Sequence, residues 1–114
     1  MKAYGIEILS DVEMGPAIVE YLERIDGTLA PFGGRFIVHG GPADVREGTN
    51  PGDVIVIEFP DRESATRWYE SAAYQEILPL RAEHSDGTIL LLDGVDGDHR
   101  ATDVLAGSGA QPTL

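Results

Sequence analysis

Two hydrophobic periods alternate along the chain, and the switches between them mark its elements. From Ala3 to Leu9 the period is two, with Tyr4, Ile6 and Ile8 on one side and Ala3, Gly5, Glu7 and Leu9 on the other, which predicts a strand. From Met14 the apolar positions fall at helical spacing: Met14, Ala17, Ile18, Tyr21, Leu22, Ile25, Leu29 and Phe32. Glu20, Glu23, Arg24 and Asp26 lie outside that stripe. Pro16 suits the first turn of this helix, where a missing N–H costs nothing.

Gly33-Gly34 stops the helix, because glycine enters the left-handed C-cap conformation without steric penalty. The stretch GGRFIVHGG, Gly33 to Gly41, then reads as helix stop, strand and bend. A phosphate-cradling loop needs strand, glycines and helix in that order with a fixed motif; here the order is reversed and the motif is missing. Ala43 to Glu47 is expected to continue the strand beyond the bend, and Gly48 to Gly52 to turn. Asp53 to Phe59, DVIVIEF, is the strongest strand pattern of the chain.

Asp61 can cap a second helix carrying Ala65, Trp68, Tyr69 and Ala72 on one stripe. A short helical piece, Tyr74 to Leu78, should follow and be broken or restarted by Pro79. Thr88 to Asp93 is the last expected strand. The order β-α-β-β-α-β predicts an α+β, ferredoxin-like fold: a four-stranded antiparallel sheet with two main helices on one face. DVIVIEF and TILLLD are apolar on both alternating sides, so the sheet face away from the helices needs a cover. A second copy of the chain is the candidate, making the protein a homodimer through its sheet face.

Beyond Gly94 the composition shifts to Asp, Gly, Ser, Ala and Pro without periodicity. Residues 1–95 therefore form the domain, and 96–114 are expected to be a disordered tail. Twenty acidic against 8 basic side chains give a net charge of −12, which argues against nucleic acid as a partner. There is no cysteine, excluding disulfides and thiolate chemistry. Glu7 and Asp11 interrupt the apolar N-terminus before a signal-peptide core could form, and no apolar run reaches membrane-spanning length. The expected location is the cytoplasm, with no membrane partner.

The helix carrying Tyr21, the GGRFIVHGG block, the Glu47-Gly48 pair and the run VIVIEFPDRESATRWYESAAYQEILPLR resemble the small bacterial domains of unknown function grouped as DUF1330. These belong to the dimeric α/β-barrel superfamily. The resemblance covers about residues 2 to 94. It implies a homodimer whose sheets pack face to face, each subunit keeping a cleft between helices and sheet, and it implies no particular reaction, since relatives in the wider superfamily include cofactor-independent monooxygenases, haem-dependent enzymes and lactone isomerases. Where the resemblance leads one to expect arginine before the second glycine pair, this chain has His39, which puts any anion-binding role at that position in doubt.

His39 is the first candidate for chemistry, as imidazole suits acid–base work near neutral pH; the alternative is a strand-end histidine bonded to backbone. Glu58, between Ile57 and Phe59, is either a carboxylate forced inward, which must pair with a cation or shift its pKa, or one that reaches solvent or pairs with Arg35. Trp68, Tyr69 and Tyr74 are core packing or the wall of an apolar cleft, and Arg81 is a surface pair or a partner for a ligand oxygen. No metal motif and no cofactor motif stands out. The leading expectation is binding of a small, partly apolar molecule between helices and sheet, with His39 and Glu58 catalytic in the enzymatic version and Arg35, Trp68, Tyr69, Tyr74 and Arg81 contacting the ligand. The alternative is a non-catalytic dimeric binding module.

Overall fold

Strand β1 (Ala3–Ser10) runs between β3 (Asp53–Phe59) and β4 (Asp86–Asp93), and β2 (Arg35–His39) flanks β3, in a computed structural model that describes residues 1–106. All neighbours are antiparallel, in the order β2-β3-β1-β4. This is the ferredoxin-like α+β arrangement that the element order predicts. Helices α1 (Pro16–Leu29), α2 (Arg62–Glu70) and α3 (Ala72–Ala82) cover one face of the sheet.

The period-two alternation becomes a two-sided sheet. Ala3, Glu7 and Leu9 of β1 and Ile55, Ile57 and Phe59 of β3 are buried under the helices. They meet Tyr21, Ile25 and Leu29 of α1 and Trp68, Tyr74 and Ile77 of α2 and α3. Each large side chain so buried stabilises the fold by about 1.5–3 kcal/mol. On the other face Ile6, Ile8, Val54, Val56, Leu90 and Leu92 remain open, with Leu90 and Leu92 43% and 46% exposed. A face this apolar is unusual for a sheet that meets water.

The glycine pair after α1 serves two purposes. Gly33, at φ 70°, closes the 3₁₀ turn Ala30–Phe32 by donating to the Ala30 carbonyl. At Gly34 a Cβ would lie 2.7 Å from Phe59 Cε1 and 2.8 Å from Leu29 Cδ2, so this glycine lets the entry to β2 touch the core.

Two expectations fail. The strand does not continue over Ala43–Glu47, and β2 ends at His39. Gly40 and Gly41 take positive φ values of 65° and 92°, Pro42 has no N–H to donate, and the segment that follows is exposed throughout. Nor does Pro79 break its helix, since α3 runs through it to Ala82. Proline removes one N–H donor, while Tyr74 and Ile77 before it and Arg81 after it are buried and hold the helix against the sheet. Ser71 makes the break instead: it is extended at the end of α2, and its hydroxyl caps α3 by accepting from the Tyr74 N–H at 3.2 Å.

Past β4, a 3₁₀ turn spans Ala101–Ala106. Residues 107–114 of the expected tail lie outside the described residues. No helix among the described residues is long and apolar enough to cross a membrane.

Candidate functional site

One row across the helix-facing side of the sheet carries the polar groups. His39 of β2 pairs with Ile55 of β3, Ile55 pairs with Glu7 of β1, and Glu7 pairs with Ile89 of β4. With strands about 4.8 Å apart, Glu7 and His39 stand on the order of 10 Å from each other. His39 points into the cleft because a bulge lies between Phe36 and Val38. The extra residue, Ile37, shifts the alternation, so that both Phe36 and His39 line the helix side.

The helices add the rest. The apolar stripe of α1 sets Tyr21 over Glu7, its hydroxyl donating to Glu7 Oε1 at 3.3 Å and lying 2.9 Å from the Tyr74 hydroxyl. Arg81, one turn beyond Ile77 on α3, lies with its Cζ 5.9 Å from the centre of the Tyr21 ring. At Gly87 of β4 a Cβ would lie 2.8 Å from Leu9 Cδ2 and in ordinary contact, 3.4 Å, with Arg81 Nη1, so the glycine makes room for Leu9 beside the guanidinium.

Glu7, Tyr21, Arg81 and His39 border a cavity of about 50 Å³ whose walls are otherwise apolar, among them Ile18, Phe36 and Ile55. It adjoins an outer cleft of about 220 Å³ that shares His39 and Ile55 and reaches Met14, Gly40, Gly41 and Asp53. Burial pushes the Glu7 carboxyl above the ordinary carboxylate range, and Arg81, the Tyr21 hydroxyl and His39 offset only part of this. The Tyr21 and Tyr74 hydroxyls are pushed up by burial and by the nearby Glu7, so both stay protonated donors. Burial works against the Arg81 charge, but Tyr74, Tyr21 and Glu7 together outweigh it and Arg81 stays cationic. The floor can therefore donate hydrogen bonds from Arg81 and accept or donate one at Glu7, under apolar walls.

The predicted residues fall into three places. His39, Tyr74 and Arg81 belong to the cleft and the polar cluster at its floor. Trp68 is core behind them, 1% exposed, its Nε1 donating to Thr28 Oγ1 at 3.0 Å, and half-buried Tyr69 packs against Trp68 and Tyr74. Glu58 and Arg35 stand on the open sheet face. Arg35 donates to Glu58 Oε1 through Nε at 3.2 Å and Nη2 at 3.0 Å, and Lys2 Nζ reaches the same oxygen at 3.0 Å. Those bonds, Lys2 first, hold the Glu58 carboxyl below the usual carboxylate range. The sheet thus lies between His39 and Glu58, because Glu58 alternates with Ile57 and Phe59, which face the helices.

The carboxylate that does face the helices is Glu7, and with Tyr21 it is missed by the sequence reading. A signal was there: Glu7 stands alone among Ala3, Gly5 and Leu9 on one side of β1. Among the described residues no group of three or more His, Asp or Glu is placed to hold a metal ion.

No curated protein matches the sequence. Among solved structures, a protein of unknown function from Rhodopseudomonas palustris is 15% identical, with 83% of each chain covered and a TM-score of 0.63. A dimeric ferredoxin-like protein of unknown function from Jannaschia sp. CCS1 is 15% identical over 82% of this chain and 100% of that one, TM-score 0.62. A cofactor-independent oxygenase from Streptomyces nogalater is 16% identical over 87% and 98%, TM-score 0.55. At these identities the likeness shows the ferredoxin-like fold. The family model described as a domain of unknown function, DUF1330, matches residues 2–95, and the chain belongs to that family.

Proposed function

We propose that this protein is a homodimer that binds a small, partly apolar molecule in the cleft between α1 and the sheet. The observation that carries the reading is the floor of the cleft, where Glu7, Tyr21 and Arg81 are buried beside empty space under apolar walls. Burying polar groups costs free energy unless they find partners, and a ligand with a polar end and an apolar body supplies both kinds of contact. The apolar open face of the sheet supports the dimer, since a second copy laid on it would bury Ile6, Ile8, Leu90 and Leu92.

A catalytic form of the same reading rests on His39 at the mouth and Glu7 at the floor. Two groups able to hold a proton flank the space a ligand would fill, so one could remove a proton from it while the other returns one. Without turnover the cleft serves a binding module.

The test is a thermal-shift screen of small carboxylates and phenols against the wild type and Leu22→Trp. Leu22 borders the cleft and is 43% exposed, so the larger ring would fill the cleft without entering the core. A ligand at a hundred times its Kd stabilises the folded state by about 2.7 kcal/mol, and the plugged variant should lose that shift. A screen with no response, or equal responses from both proteins, rules out the cleft.

A further inference from the structure

We infer that the floor of the cleft is a carboxylate site: Arg81 pairs with the carboxylate of a small monocarboxylic acid, Glu7 in its protonated form donates a second hydrogen bond to it, and the apolar body of the ligand lies in the outer cleft. The inference rests on the cleft reading above and names its ligand class.

Arg81 is 5% exposed, and its Nε is the one buried side-chain nitrogen or oxygen without a hydrogen-bond partner among the described residues. No carboxylate there lies within ion-pairing distance of its guanidinium, although Glu7 borders the same cavity. A buried guanidinium with an unbonded Nε and no ion pair has capacity for an anion, and its planar fork fits two carboxylate oxygens. The gap of about 50 Å³ suits a carboxyl group, and the adjoining 220 Å³ takes one ring or a branched chain. A neutral ligand would leave Arg81 without a counter-ion. A phosphate would bring a second negative charge against Glu7, which already shares the cavity.

The role of Glu7 follows from charge. Two carboxylates beside one guanidinium cannot both stay ionised in a dry site. The groups facing Glu7 are Tyr21 from α1, Tyr74 and Arg81 from α3 and His39 from β2, while β3 and β4 place the apolar Ile55 and Ile89 beside it. Arg81 is thus the main cation available. A ligand anion that takes it leaves Glu7 to bind a proton from solvent. Burial of Glu7 favours the same protonated state before any ligand arrives.

The experiment is calorimetric titration of the full chain with benzoate and with benzamide, its neutral isostere, between about pH 5 and 8 in buffers of different ionisation heat. Benzoate should bind at least about tenfold more tightly than benzamide, weaken as the pH rises, and take up a proton on binding toward the top of the range, where free Glu7 is ionised. Glu7→Gln, whose amide donates in place of the protonated carboxyl, should lose the proton uptake. Arg81→Met should bring benzoate down to the level of benzamide. Equal affinity for the two probes, or binding without proton uptake even at the top of the pH range, overturns the carboxylate site and leaves the cleft reading standing. Binding of neither probe overturns it too, and a wider screen that also finds nothing takes the cleft reading with it.

Discussion

Phe36 and His39 stack ring on ring, with centroids 4.4 Å apart and planes within 9°, although they stand three residues apart on one strand. Regular alternation would send them to opposite faces; the bulge at Ile37 puts them side by side. His39 keeps one face on Phe36 and leaves its edge to the cleft. His39→Gln should therefore lower unfolding free energy by no more than about 1 kcal/mol, the scale of one aromatic pair. In the catalytic form of the proposal it should abolish turnover of whichever ligand the screen identifies. Loss of the fold in urea titrations would show that the stack is structural.

Glu7→Gln tests the buried carboxyl through pH. The folded protein holds the Glu7 proton more tightly than the unfolded chain does, so Glu7 contributes most below the ordinary glutamate value and that contribution is lost as pH rises through the folded value. Glutamine has no proton to lose. Wild type and variant should match near pH 4, and the variant should be the more stable by on the order of 1 kcal/mol at pH 7, measured by thermal unfolding across that range. A difference that stays constant with pH contradicts the assignment.

The two tyrosines of the cluster should not be equivalent. Tyr21 serves both Glu7 and Tyr74, so Tyr21→Phe strips the buried carboxyl of its hydrogen bond and should cost about 1–3 kcal/mol. Tyr74→Phe leaves the Tyr21–Glu7 bond in place and should cost about 0.5–1.5 kcal/mol. The reverse order in denaturant midpoints would mean that Tyr74 carries the cluster.

Faces of the sheet can be separated by one charge each. Ile57 is fully buried, and Ile57→Asp should unfold the subunit. Leu90 lies on the open face, and in the proposed homodimer Leu90→Asp should shift sedimentation from dimer to folded monomer. A Leu90→Asp protein that still sediments as a dimer removes that face from the interface.

Element order and the apolar open face are legible in the sequence because period two and period 3.6 survive any packing detail. The bulge is not: RFIVH has no residue whose chemistry demands an extra position, and only the pairing with β3 exposes Ile37 as the surplus. The choice between carboxylates is hidden for another reason. On β1 the bulky set Tyr4, Ile6 and Ile8 faces away from the helices and the small set with Glu7 faces them, while on β3 the bulky Ile55, Ile57 and Phe59 face the helices and Glu58 does not. Side-chain size therefore points to the wrong acid. Pro79 misleads similarly, because local propensity there yields to the anchors on either side.

Trp68 is the only tryptophan of the chain, and its ring lies 4.2 Å from that of Tyr74, which hydrogen-bonds Tyr21, which in turn holds Glu7. The molecule thus contains a single indole, excitable apart from the tyrosines, two hydroxyls away from the floor of its cleft. Any occupant that moves Glu7 repositions the Tyr21 and Tyr74 hydroxyls beside the indole, so emission from Trp68 reports the state of the cleft without an added label.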